Sequence, residues 1–240
     1  MDKAMRKRVM FLLVAVFLLP GIRKATAETQ ERSLPLFSEI SLRIPAKIYL
    51  EQGSEQKVTI EADNSTLDEI ITEVSGRALV VRFAAKNFLS RSFRPGKIII
   101  RVTLPEITGL AISGSGDIVA REMIASRILD LAVSGSGGID LAQLDAGRVK
   151  VSISGSGNIV IGNEKPGEEL QASISGSGNL KASDYEARDV RVTIAGSGNA
   201  WVYSNGDITV KIAGSGNLYY SGNPNVDSSI AGSGGVREVR

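Results

Sequence analysis

The sequence predicts an all-β protein folded as a parallel β-solenoid, and three observations predict it. The tripeptide Gly-Ser-Gly returns seven times, at 114–116, 135–137, 155–157, 176–178, 196–198, 214–216 and 232–234. The intervals are 21, 20, 21, 20, 18 and 18 residues, a nearly fixed period that marks a stacked repeat. Around every copy apolar residues alternate with polar ones, the period-2 pattern of a strand with one buried face. No 3.6-residue pattern links the copies, so a helix–strand repeat is not expected.

Each unit needs the same physical parts. Two residues before the tripeptide stands a branched aliphatic: Ile112, Val133, Ile153, Ile174, Ile194, Ile212 and Ile230. Two residues earlier the position is apolar again from Leu110 to Val210, and Ser228 breaks the column. The apolar column resumes two residues after the second glycine, from Ile118 to Val236. A meander would reverse successive units, so identical motifs at one period fit one full coil each, stacked at about 4.8 Å. The glycines have two readings. A straight strand would point both inward, whereas a corner would use their tolerance of positive φ. The corner is favoured, because the next residue is Asp117, Asn158, Asn179, Asn199 or Asn217 in five of the seven units, residue types that accept left-handed backbone. Stacked, the Asn side chains are expected to hydrogen-bond as a ladder.

The reiterated Ile-Ser/Ala-Gly-Ser-Gly-Asn-aliphatic unit resembles the bacterial head-GIN-domain family, which carries an autotransporter-adhesin label and is a domain of unknown function. The preceding segment is similar to that family as well, in Phe37-Ser38-Glu39-Ile40, Glu51-Gln52-Gly53, Val58 to Asp63 and Thr103-Leu104-Pro105. The resemblance spans residues 34–240. It implies an exported β-solenoid-like domain and carries over no catalytic residues.

From its start the chain reads as follows. Lys3, Arg6, Lys7 and Arg8 form a basic n-region, Val9 to Leu19 an apolar run, and Ala25-Thr26-Ala27 a small-x-small cleavage site. Residues 1–27 are therefore expected to be a secretory signal peptide, too short for a membrane span. The mature protein would be exported to the periplasm or cell surface without a transmembrane segment. Its removal takes away six basic residues and one acidic residue, leaving a net charge of −3 where the whole chain has +2. That balance excludes a basic nucleic-acid binder. The absence of cysteine excludes disulfides and a lipid-attachment residue. Residues 28–240 then form one domain, in which 34–108 supply strands that cap the solenoid and 109–240 supply the repeats.

A short polar leader precedes the first strands. Ser41–Ile44, Lys47–Glu51 and Lys57–Ala62 alternate, and Asp63 to Thr66 reads as a turn or cap before one helical turn at Leu67–Ile70. Ile71–Val74, Ser75-Gly76 and Ala78–Phe83 give a hairpin signal. Residues 84–97 break the pattern with Lys86, Arg91, Arg94 and Lys97 among Phe88, Leu89 and Phe93. They are either a patch for an anionic surface or a solvated loop whose apolar residues tuck onto the sheet. After Ile98–Leu104, Pro105 leads into the first coil. Beyond the repeats no series of ~10-residue amphipathic strands offers an outer-membrane barrel.

Little in the chain points to catalysis. It contains no histidine, which removes Ser-His-Asp and Cys-His chemistry and the usual zinc sites. The motif serines lack a base partner and read as a hydroxyl ladder. Only Asp117 follows a motif, too few acids for calcium-loaded turns, and no Gly-Lys-Ser/Thr makes a phosphate loop. No catalytic residue, cofactor or metal is expected. Counted along the coils, Asp140, Asp145, Glu164, Glu168, Glu169, Asp184, Glu186, Asp189 and Asp207 fall at different offsets and form no acidic column. Trp201, Tyr203 and Tyr219 fall at outward offsets, with Trp201 and Tyr219 equivalent in neighbouring coils. They are either a shelf for a sugar or a partner, or a cross-strand pair that stabilises the sheet. The expected function is a non-catalytic binding or adhesion-like module for a glycan or envelope protein. The alternatives are a carbohydrate-active enzyme on the same fold, such as a polysaccharide lyase or hydrolase, and a purely structural envelope protein.

Overall fold

Alternating sequence becomes strand over most of the chain, and the N-terminal strands start the stack. The computed structural model describes residues 27–84, 94–162 and 165–239. Residues 1–26, most of the segment expected to be a signal peptide, lie outside these. Seven strands precede the repeats: β1 (Ala27–Glu31), β2 (Glu39–Leu42), β3 (Lys47–Gln52), β4 (Lys57–Asp63), β5 (Ile70–Ser75), β6 (Ala78–Phe83) and β7 (Ile99–Leu104). A single helical turn, α1 (Asn64–Leu67), links β4 to β5, three residues earlier than the sequence suggests. The expected hairpin is present as antiparallel β5 and β6, turning at Gly76 with φ 63°. The polar leader is a strand instead of a loose segment. It pairs antiparallel with β4, and its polar residues suit a sheet edge.

The repeats supply β8 (Gly109–Gly114), β9 (Asp117–Gly135), β10 (Gly138–Gly155), β11 (Asn158–Ile161), β12 (Gly167–Gly176) and β13 (Asn179–Gly196). They continue with β14 (Asn199–Tyr203), β15 (Asp207–Gly214), β16 (Asn217–Ser221), β17 (Asn225–Gly232) and β18 (Gly235–Glu238). The pairings resolve into two ladders. The first runs β1-β4-β7-β3-β9-β10-β11-β13-β14-β16-β18, parallel from β7 onward. The second runs β5-β6-β2-β8-β9-β10-β12-β13-β15-β17, parallel from β6 onward. Strands β9, β10 and β13 belong to both, because they bend from one ladder to the other without a break. This is the parallel β-solenoid that the motif spacing predicts. Two coils are out of chain order: β6 and β7 lie on one side of β2 and β3, and β8 and β9 lie on the other.

The three aliphatic columns fill the interior. Ile112, Val133, Ile153, Ile174, Ile194 and Ile212 are each no more than 2% exposed. Among the described residues the column ends at Ile230, which is 42% exposed in the last described coil. Ile174 is buried while its neighbour Ser173 is exposed. Replacing Ile174 by Ala is expected to cost on the order of 2–5 kcal/mol, and Ser173→Ala to be nearly silent. Urea denaturation of the two variants checks the assignment, and equal losses would contradict it.

Gly-Ser-Gly makes the corner between the ladders, and its two glycines serve different needs. The first takes positive φ in every copy, for example 117° at Gly176. The second is buried in every copy but the last and faces the coil before it: a Cβ on Gly178 would stand 2.5 Å from Ile153 Cγ2. Both readings of the glycines therefore hold, one for each position. The Asn that follows does not adopt left-handed backbone, since every described residue with positive φ is glycine. The turn has already been made by the first glycine. Nor do the motif serines form a hydroxyl ladder. Their side chains are exposed, and the ladder is made of backbone. The Gly155 carbonyl accepts N–H bonds from both Ser177 and Gly178, at 2.8 and 3.0 Å, and Gly176 does the same for Ser197 and Gly198. Two successive amides form a concavity that holds one oxygen.

Candidate ligand-binding face

The outward face of the first ladder carries the side chains most suited to contact a partner. Strand alternation sends every second residue of β11, β13, β14, β16 and β18 outward, and parallel register stacks equivalent residues in columns. One column is the asparagines. Asn179 Nδ2 donates to Asn158 Oδ1 at 2.9 Å, Asn199 Nδ2 to Asn179 Oδ1 at 3.2 Å, and Asn217 Nδ2 to Asn199 Oδ1 at 3.1 Å. The expected amide ladder is present.

Two residues along lies the column Lys181, Trp201, Tyr219 and Arg237, in register from β13 to β18. The Trp201 and Tyr219 rings are 5.1 Å apart between centroids and 14° from parallel. Centroids that close belong to an offset stack, in which each ring covers part of a face of the other. The pair is a half-buried stack with its outer parts exposed, and not two rings side by side. Lys181 and Arg237 are exposed, and neither forms an ion pair among the described residues. Tyr203 sits in the next outward column, aligned with Ser221. Its hydroxyl accepts a bond from Asn205 Nδ2 at 3.2 Å, and the same amide donates to Glu186 at 3.0 Å. The sequence-derived aromatic residues are thus neighbours on one face.

The basic segment is only partly in view. Arg94 and Lys97 are exposed on the chain leading into β7, far along the stack from the aromatic pair. Lys86 and Arg91 lie outside the described residues.

An acidic column, by contrast, does exist. Glu169, Asp189 and Asp207 align in register on β12, β13 and β15, followed by Asn225 on β17. Counted forward from the preceding motif they scatter, because the coils differ in length. Counted back from the following motif, all four stand seven residues before it. Each carboxylate has a partner: Glu169 pairs with Arg191, Asp189 with Arg188 at 3.0 Å, and Asp207 accepts from Asn225 Nδ2 at 3.2 Å. Held beside Asp189, the Arg188 guanidinium is raised above its usual pKa by that hydrogen bond. A shallow groove runs along these residues and includes Thr209 and Asp227. Among the described residues, no group of three or more acidic side chains is arranged to hold a metal ion.

One buried polar group went unread in the sequence. Tyr185 is fully buried, and its hydroxyl donates to the Ala146 carbonyl at 2.7 Å. Burial pushes its pKa up to about 12, with Asp145 and Glu168 adding to the shift. It lies between Asp184 and Glu186, a polar setting that hides its inward direction.

Among the described residues no helix is long and apolar enough to cross a membrane. Among curated proteins none matches the chain. Solved structures do. A "putative adhesin" from Bacteroides fragilis superposes with a TM-score of 0.81 at 20% identity, over 89% of this chain and 97% of that one. A "putative lipid binding protein" from Parabacteroides distasonis gives 0.75 at 25% identity, over 90% and 98%. A "putative adhesin" from Parabacteroides merdae gives 0.71 at 20% identity, over 90% and 98%. These confirm the solenoid. The profile of the family described as "Putative auto-transporter adhesin, head GIN domain" matches residues 36–224, and the chain belongs to that family.

Proposed function

We propose that this protein is an exported, non-catalytic recognition module of the cell envelope, and that it binds a glycan through the outward face of β13, β14, β16 and β18. The observation that carries this reading is the stacked pair Trp201–Tyr219 beside the asparagine ladder. Aromatic rings give a sugar its apolar contact, and the amides stand close by to meet hydroxyls. The adhesin description of the family supports a binding role. The signal-like N-terminus supports export, with the periplasm or cell surface as the site of action.

A glycan and envelope-polysaccharide binding array tests the proposal, run with calcium and with chelator. We expect saturable binding to one sugar class, unchanged by chelation. Replacing Trp201 and Tyr219 together by Ala is expected to weaken it at least tenfold, in line with loss of a central aromatic anchor. Binding that survives both substitutions would remove the aromatic face from the account.

A second reading rests on the carboxylate column. Solenoid carbohydrate-active enzymes need paired acids on one surface, and Asp189 and Asp207 are neighbours in register. Their existing partners favour a structural role. Release of shortened sugars in the same assay would favour the enzyme.

A further inference from the structure

We infer that the glycan taken by this face is acidic, carrying carboxylates that the two cations flanking the aromatic pair receive. This rests on the aromatic face being the binding surface. Register places Lys181 one coil before Trp201 and Arg237 one coil after Tyr219. At about 4.8 Å per coil, the two cations stand about 14 Å apart along the solenoid axis, with the ring stack between them.

Their charge is uncommitted. Several basic side chains on the described surface are paired with acids, such as Arg121 with Asp140 at 3.0 Å, Arg101 with Glu61 at 3.0 Å and Lys165 with Asp145 at 2.5 Å, whereas others, such as Lys150 and Lys211, form no ion pair among the described residues. Lys181 and Arg237 are exposed and have no such partner among the described residues. On one side of the column stand the asparagines, and on the other Tyr203 is in register with Glu186 and Ser221. The Glu186 carboxylate is engaged by Asn205 Nδ2 at 3.0 Å, and neither it nor the exposed Asp184 forms an ion pair with Lys181 or Arg237 among the described residues. A net-negative mature chain thus presents an aromatic platform whose two ends are positive. A glycan lying along the axis would place a ring against the stack and a carboxylate at each end. Arg237 suits this role, because its guanidinium can receive a carboxylate with two parallel hydrogen bonds. The asparagine ladder beside the column offers neutral amides to the hydroxyls between.

The test is a titration of the purified protein with polygalacturonate and with the same polymer after its carboxylates are reduced to alcohols. Anionic lipid vesicles serve as the third probe. We expect polygalacturonate to bind more tightly than its neutral form, with an affinity that falls as salt rises. Lys181→Gln with Arg237→Gln should weaken the acidic polymer about tenfold and leave the neutral one unchanged. Both are exposed substitutions, and thermal melting should show the fold intact. Equal binding of both polymers would overturn the acidic assignment and leave the glycan reading standing. Binding to neither polymer, or to vesicles alone, would overturn both. Loss of acidic and neutral binding together in the cation variants would also overturn the charge assignment, because it would make these residues general contacts.

Discussion

Gly178→Ala is expected to destabilise the protein more than any outward substitution, on the order of 4–5 kcal/mol, or to prevent folding. A methyl group there would overlap the Gly157 carbonyl oxygen and approach Ile153 Cγ2 to 2.5 Å. Neither neighbour can retreat easily. The Gly157 carbonyl accepts the Asn179 N–H at 3.1 Å, and the Gly178 N–H is itself bound to Gly155 at 3.0 Å. Moving the corner would break inter-coil backbone bonds in two consecutive coils, and each buried group left unpaired costs about 1–3 kcal/mol. Ser177→Ala is the control, since that side chain is exposed and should change stability by less than about 0.5 kcal/mol. Urea midpoints decide it. A Gly178→Ala protein as stable as the wild type would mean that the coils are spaced differently from this account.

Gly167→Ala is expected to have the second large effect, through Tyr185. A Cβ on Gly167 would stand 2.6 Å from Tyr185 Cζ and overlap its hydroxyl oxygen. The ring would have to leave its slot and give up both its burial and its bond to Ala146. A loss of about 3–5 kcal/mol follows, as for removing a buried aromatic. In a double-mutant cycle, Gly167→Ala and Tyr185→Ala should be strongly non-additive, because both empty the same slot. Tyr185 also sets an alkaline limit. Its pKa is raised on folding, so the folded state favours the neutral hydroxyl. That contribution is fully present below pH 10 and is lost as pH rises toward about 12. Tyr185→Phe should flatten the loss of stability between those values, and an unchanged alkaline limb would contradict the buried assignment.

The repeat itself was legible because each coil repeats the same physical demand. Ile174 and Gly176 read correctly as strand and corner, whereas the corner reading favoured for both glycines fails at Gly178, which points inward against Ile153. Other features were hidden for identifiable reasons. The coil of β2 and β3 has no glycine motif: Arg43-Ile44-Pro45-Ala46 makes its corner, with the Ala46 N–H bound to Ile44 O at 2.8 Å and proline fixing its own φ. The coil of β6 and β7 sits out of chain order, which no local pattern reveals. Glu169, Asp189 and Asp207 align only when counted back from the next corner, since coil length varies on the far side. The position of Trp201 beside Tyr219 was legible, but the way their rings stack was not. Ring orientation is decided by side-chain rotamers that strand periodicity does not specify.

Trp201 is the single tryptophan of the chain, so its fluorescence reports on the proposed face alone. Titrating the protein with a bound polysaccharide, while following both heat of binding and tryptophan emission, tests the central claim directly. The account predicts that the emission shifts in proportion to the heat and saturates at the same concentration. Saturable heat with unchanged emission would place the ligand elsewhere and contradict it.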